Sequence, residues 1–268
     1  MVARFFWGDM RTHIQECATF IYHLRALYPF ILDIPPDFWY NRDMMSIMDI
    51  RDRTPTETLD YQQLMSLLRG YAKPRDRIGA FMDKGELIRV RRGLYVFGER
   101  YRRGPLRRET LANLIYGPSY VSLDFMLSWY GMIPERVEDV TCVTTGEKKR
   151  FTTPLGVFTY QPMTLRRYSP GIAWSDAYNS PCLIASPEKA LVDKVWMDKR
   201  FSPTRLSDFD AYLFDDLRID EALLATLDMS KICSIARIFG ARKIAMLTRF
   251  LARVSQQRSV ASANLTPT

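Results

Sequence analysis

A chain of 268 residues that is 47% hydrophobic and 25% charged has apolar material for about two cores at roughly 150 residues each, which excludes a disordered protein. Its net charge of +8 and pI near 9.3 favour a polyanionic partner. The only histidines are His13 and His23, and no G-x-x-x-x-G-K-[ST] or G-x-G-x-x-G run occurs, so histidine-based catalysis and glycine-loop phosphate binding lack the residues they need.

The charge is concentrated. Between Arg69 and Arg108 thirteen Lys/Arg stand against four acids, a net of +9 that exceeds the total for the whole chain. A local basic patch of this kind attracts phosphate and releases counterions. Cys17, Cys142, Cys182 and Cys233 form no C-x-x-C, which points to a reducing cytoplasm and to no zinc knuckle. His13, Glu16, His23, Arg25 and Asp33 interrupt the apolar N-terminal stretch, so neither a membrane span nor a signal peptide is expected.

In chain order, residues 1–50 read as an extension with no clear period, either an arm or translation upstream of a start at Met45 or Met48. Leu59, Leu64, Leu67 and Leu68 recur at helical spacing behind Thr54-Pro-Thr-Glu57, with Gly70 as a stop. Pro74 opens a second helix, with Ile78, Phe81 and Met82 on one face and Gly85 at its end. Leu87–Arg91, the turn Arg92-Gly93 and Leu94–Phe97 then read as a tight hairpin. Helix, helix and basic hairpin over 51–98 outline a winged helix-turn-helix.

Residues 99–108 read as a charged linker, and 109–258 as a mixed domain. In it, 109–116 and 122–130 are expected as helices, the second capped by Ser122, and 137–144 and 151–160 as strands with turn chemistry at Pro154-Leu155-Gly156. Cys182–Ala185 is a further strand, and Ser186-Pro187-Glu188 starts a helix or, alternatively, forms a binding loop. Helices near 205–214, 219–227, 230–239 and 241–256 precede a polar tail, 259–268. The expected fold is α+β, a winged helix-turn-helix followed by a mixed α/β domain ending in helices.

The candidate binding residues lie in the basic segment. Projection at 100° per residue puts Arg77, Ala80 and Lys84 on a face opposite Ile78, Phe81 and Met82, with Asp76 and Asp83 off it. Such a helix suits a major groove, where Arg bridges guanine acceptors while Lys73 and Arg75 meet phosphate at the helix start. Arg89 and Arg91 alternate with Ile88 and Val90, and Arg92 adds a cation at the tip. A solvated amphipathic helix and a charged, soluble hairpin edge are the plainer alternatives. Arg242, Arg249 and Arg253 form a stripe opposite Ile244, Leu247, Leu251 and Val254, a second basic surface or a solvated face. Asp139 with Glu147-x-Lys149 imitates the acid-acid-lysine spacing of Mg-dependent nucleases, but Gly146 places it at a hairpin tip. No cofactor or metal site is expected.

The blocks Lys73-Pro-Arg-Asp-Arg-Ile78 and Lys84-Gly-Glu-Leu-Ile-Arg-Val-Arg-Arg-Gly-Leu-Tyr95 resemble the N-terminal winged helix of AbiEi-type antitoxins of type IV toxin–antitoxin, abortive-infection systems. Leu111–Leu123 with Tyr130–Glu135, Val143-Thr-Thr with Phe151–Tyr160, and Ala185–Asp193 are similar to later segments of the same family. The likeness spans about residues 55–200 and leaves 1–45 unmatched. It implies a repressor of its own operon that binds inverted repeats in double-stranded DNA and counteracts a nucleotidyltransferase-type toxin for phage defence, with or without direct contact. It carries over no catalytic residue. A Mg-dependent nuclease and a protein-interaction module without DNA affinity are the rival classes.

Overall fold

The computed structural model describes residues 45–176 and 180–263. The expectations placed on residues 1–44 and on the last residues of the tail lie outside these. Within the described residues the chain is mixed α+β, with helices and two sheets.

Helix α1, Ile47–Asp52, buries Ile47 and Ile50, and Thr54 Oγ1 donates to the Ile50 carbonyl at 2.6 Å just beyond its end. Strand β1, Thr58–Asp60, follows and pairs antiparallel with β3, Leu94–Phe97, with Leu59 opposite Tyr95. The first leucine of the expected helix is therefore a strand residue. Asp60 resets the start: its side chain accepts from the Gln63 amide at 2.7 Å while Gln63 accepts from the Asp60 amide at 2.8 Å. This reciprocal cap launches α2, Tyr61–Leu67. Helix α3, Pro74–Asp83, and strand β2, Leu87–Arg91, fall where the sequence placed them, and β2 pairs with β3 on its other side.

The α3–β2 junction is close-packed. Gly98 donates its amide to the Glu86 carbonyl at 2.8 Å, and a Cβ at Gly98 would lie 2.0 Å from the Gly85 carbonyl oxygen. Backbone sits on both sides, so no rotamer change relieves the clash. Gly98→Ala is expected to destabilise by at least the upper part of the overpacking range, about 3 kcal/mol, read as a lower urea midpoint with an unchanged m-value.

The second sheet has the order β6-β7-β5-β4-β9-β8. It comprises β4, Ser119–Val121; β5, Val140–Thr144; β6, Lys149–Thr153; β7, Gly156–Pro162; β8, Ile172–Ser175; and β9, Cys182–Ala185. The 151–160 strand is thus two strands turning at Pro154-Leu155, as the turn chemistry required. The pairs β5–β7 and β4–β9 are parallel and the others antiparallel. Helix α4, Arg108–Ile115, packs on this sheet: Tyr160 donates to the Ala112 carbonyl at 2.7 Å, and the Asn113 amide meets both backbone groups of Leu183. Helix α5, Leu123–Trp129, packs against α7, Pro187–Met197. Between them in sequence lies the short α6, Leu165–Tyr168.

Ser122 precedes α5 but makes no side-chain cap. Its hydroxyl is taken instead by Asp193 Oδ2 at 2.9 Å. Ser186 does cap α7, accepting from the Lys189 amide at 3.2 Å, so this stretch is a capped helix start. The C-terminal helices are α8, Asp208–Asp210 continuing as a π-helical turn Ala211–Asp216; α9, Glu221–Leu224; α10, Met229–Phe239; and α11, Arg242–Ala263. Val90, Leu94 and Val96 of the first sheet belong to the same buried cluster as Leu111, Ile115 and Val143 of the second region.

Candidate nucleic-acid interface

Helix α3 exists because Pro74 sits at its first turn, where a missing amide costs nothing, and because Ile78 and Phe81 bury one side. Lys73, Arg75 and Lys84 are exposed at its two ends. Arg75 donates through Nε to the Tyr61 hydroxyl at 3.0 Å, an interaction with α2 that orients it. Tyr61 carries no signal in the sequence, because the pairing spans two helices.

Arg77 departs from the expected groove-facing position. It is half-buried, with its guanidinium 4.7 Å from the Phe81 ring centroid and 6.0 Å from that of Tyr71. The face most open to water carries Asp76 and Asp83, which the helical projection had set aside. A long side chain at the boundary of an apolar face lays its stem and guanidinium over neighbouring rings. Arg77→Ala is accordingly expected to lower stability by about 0.5–1 kcal/mol through removal of the cation–π packing, so a thermal melt must accompany any binding assay on it.

On the hairpin, Arg89 and Arg91 are exposed while Val90 is buried and Ile88 half-buried. The register slips between Arg89 and Arg91, and such an irregularity re-aims a side chain. Arg91 reaches α4, donating to the Leu114 carbonyl at 3.3 Å. Arg92 is exposed beside Gly93, whose φ of +85° is the left-handed geometry the tip requires. Among the described residues, no carboxylate lies within ion-pair distance of Lys73, Arg75, Lys84, Arg89, Arg91 or Arg92.

The arginines of 99–108 are used differently. Arg102 donates to the Phe97 carbonyl at 2.8 Å, and Arg103 meets Glu57 at 3.5 Å and the Arg51 carbonyl. Arg107 meets Ser175 at 3.3 Å, and Arg108 donates to the Glu138 carbonyl at 2.8 Å. The cations of the basic segment most open to a partner are thus Lys73, Lys84, Arg89 and Arg92, together with exposed Arg69 and Arg100, while exposed Arg75 and Arg91 each keep one hydrogen bond, to Tyr61 and to the Leu114 carbonyl.

Arg242, Arg249 and Arg253 are exposed along α11, and Arg253 is engaged with Asp210 at 3.2 Å. Asp139 and Glu147 lie at opposite ends of β5, a span of about 16 Å at the rise of a strand. Arg150 holds Asp139 at 3.2 Å and Lys149 approaches Glu147 at 3.8 Å. The acid-acid-lysine set is therefore not brought together around one point.

A buried ion pair lies in the body of the protein. Lys189 Nζ and Asp193 Oδ1 are 3.0 Å apart with both side chains at 0% exposure. Tyr120 donates to Asp193 Oδ2 at 2.8 Å, and Lys189 donates to the Arg167 carbonyl at 2.6 Å beneath the Phe239 ring. Burial, opposed by each partner's charge, pushes the Asp193 carboxyl up from its ordinary range and the Lys189 amine down. With no access to solvent, this set holds α7 to β4 and α6 and does no surface chemistry. The sequence signal was the i,i+4 spacing of Lys189 and Asp193, which normally marks an exposed helix pair.

No model of a known protein family matches the chain, and no curated protein matches it. Among the described residues no helix is long and apolar enough to cross a membrane, and no group of His, Cys, Asp or Glu is arranged to hold a metal ion.

Proposed function

We propose that this protein is a DNA-binding transcriptional regulator whose residues 51–98 act as a winged helix-turn-helix, with α3 in the major groove and the β2–β3 hairpin as the wing. One observation carries the reading: six exposed cations, Lys73, Arg75, Lys84, Arg89, Arg91 and Arg92, stand on consecutive elements with no carboxylate within ion-pair distance among the described residues. Of the six, Arg75 and Arg91 each make one hydrogen bond to a neutral acceptor, whereas Arg102, Arg103, Arg107 and Arg108 further along are held by the protein's own acceptors. Cations gathered on one stretch without carboxylate partners repel one another, and phosphate relieves that repulsion while releasing counterions.

The blocks resembling AbiEi-type antitoxins extend the proposal to a regulator that represses its own operon and opposes a nucleotidyltransferase-type toxin in the cytoplasm. A reporter placed behind the DNA upstream of its own coding sequence tests the regulatory half. Supplying the chain in trans is expected to lower reporter output, and the Arg89→Ala/Arg92→Ala form is expected to restore it. Equal output with and without the chain contradicts autorepression. Co-expression with the toxin encoded beside it tests the other half, with rescue of growth as the expected result.

A further inference from the structure

Gly79 is the one glycine inside a helix among the described residues. Glycine in a helix interior costs stability relative to alanine through backbone entropy. Where folding demands it, a neighbour stands too close for a Cβ, as at Gly98 and Gly171. Among the described residues a Cβ at Gly79 would meet nothing within 4 Å, and its φ is not in the left-handed region. The described residues therefore offer no steric reason for the glycine. A bare helix backbone at this point admits the close approach of another molecule's surface.

The surroundings say what kind of surface. Asp76, Gly79, Ala80 and Asp83 follow one another at i, i+3, i+4 and i+7, so they share one stripe of α3. Both acids are exposed and neither makes an ion pair among the described residues. Carboxylates repel phosphate, so this stripe faces the groove floor and not the backbone, while the cations at the helix ends and on the hairpin take the phosphates. On a groove floor a carboxylate has a partner in the cytosine exocyclic amino group, a hydrogen-bond donor. Asp76 and Asp83 are separated by about 10.5 Å along the helix, about three base-pair rises of roughly 3.4 Å.

We propose that Gly79 is the point of closest approach between α3 and the base edges of duplex DNA, with Asp76 and Asp83 accepting from cytosine amino groups on either side of it. This rests on the reading of residues 51–98 as a DNA-binding module and deepens it. Base discrimination comes from acceptors on the helix, and affinity from cations around it.

The test compares the full chain with Gly79→Ala, Gly79→Gln and Asp83→Ala by thermal melting and by gel shift on two duplexes, the DNA upstream of its own coding sequence and a scrambled sequence. Gly79→Ala is expected to melt about 2–4 °C higher. Its affinity for the upstream duplex should fall about tenfold and that of Gly79→Gln further, while binding to the scrambled duplex changes less than twofold. Asp83→Ala should bind the scrambled duplex more tightly and prefer the upstream duplex less. Gly79 variants that bind the upstream duplex like the parent, or a Gly79→Ala melt lower than the parent, overturn the inference and leave the DNA-binding reading standing. A parent chain that shifts neither duplex overturns both.

Discussion

Lys189→Met is expected to destabilise the protein by about 3–5 kcal/mol, the cost of leaving one partner of a buried ion pair alone. The total stability of a domain is about 5–15 kcal/mol, so this one change approaches the limit of what the fold tolerates. The geometry explains the size. Asp193 is wholly buried and its Oδ1 faces the lysine ammonium at 3.0 Å, while Tyr120 and Ser122 occupy Oδ2. Without the ammonium, two hydrogen bonds remain to stabilise a carboxylate out of water. Burial already raises its pKa above the ordinary carboxylate range, and removal of the lysine raises it further. A carboxyl whose folded pKa lies above its unfolded value stabilises the fold below that unfolded pKa and loses this contribution as the pH rises through the folded pKa. The deficit of Lys189→Met therefore shrinks as the pH is lowered from neutrality.

The double variant Lys189→Met/Asp193→Asn separates charge from shape. Asparagine keeps an acceptor for Tyr120 and Ser122 and carries no charge, so most of the stability should return, as when buried ion pairs are replaced together. Urea unfolding of the parent, the single and the double variants reads all three values. A Lys189→Met form as stable as the parent at neutral pH would show that Asp193 holds no charge there.

The second large effect concerns binding. Arg89→Ala/Arg92→Ala removes two exposed side chains that make no ion pair among the described residues, so folding stability should stay within about 0.5 kcal/mol of the parent. On the DNA-binding account each arginine neutralises one phosphate, and the slope of log affinity against log salt becomes shallower by about 0.9 for each phosphate no longer neutralised. The double variant is expected to have a slope shallower by close to two units and to weaken on upstream and scrambled duplexes alike, because phosphate contacts carry no sequence information. An unchanged slope would place both arginines outside the interface.

Where local chemistry decides, the sequence is readable. Pro74 and Gly85 bracket α3, Gly93 sets the hairpin tip, and Ser186-Pro187 starts α7. What escaped is decided by distant partners. Strands β1, β4 and β8 are three or four residues long, too short for a period, and exist because β3, β5 and β9 lie beside them. Leu59 fits a helical repeat, but the Asp60–Gln63 cap and the pairing with Tyr95 override it. Arg77 stands one helical turn before Phe81 and so borders the apolar face, which the expected projection overlooked, and its guanidinium lies over the rings of Phe81 and Tyr71. Lys189 and Asp193 look solvated until the packing of α7 buries them.

Under the proposed function, the exposed cations of α3 and the hairpin bind duplex DNA. Its most direct test is a gel shift of the full chain on the DNA upstream of its own coding sequence, beside a scrambled duplex, at two salt concentrations. Retardation that prefers the upstream duplex and weakens steeply at the higher salt is expected. No retardation of either duplex at the lower salt would contradict the proposed function.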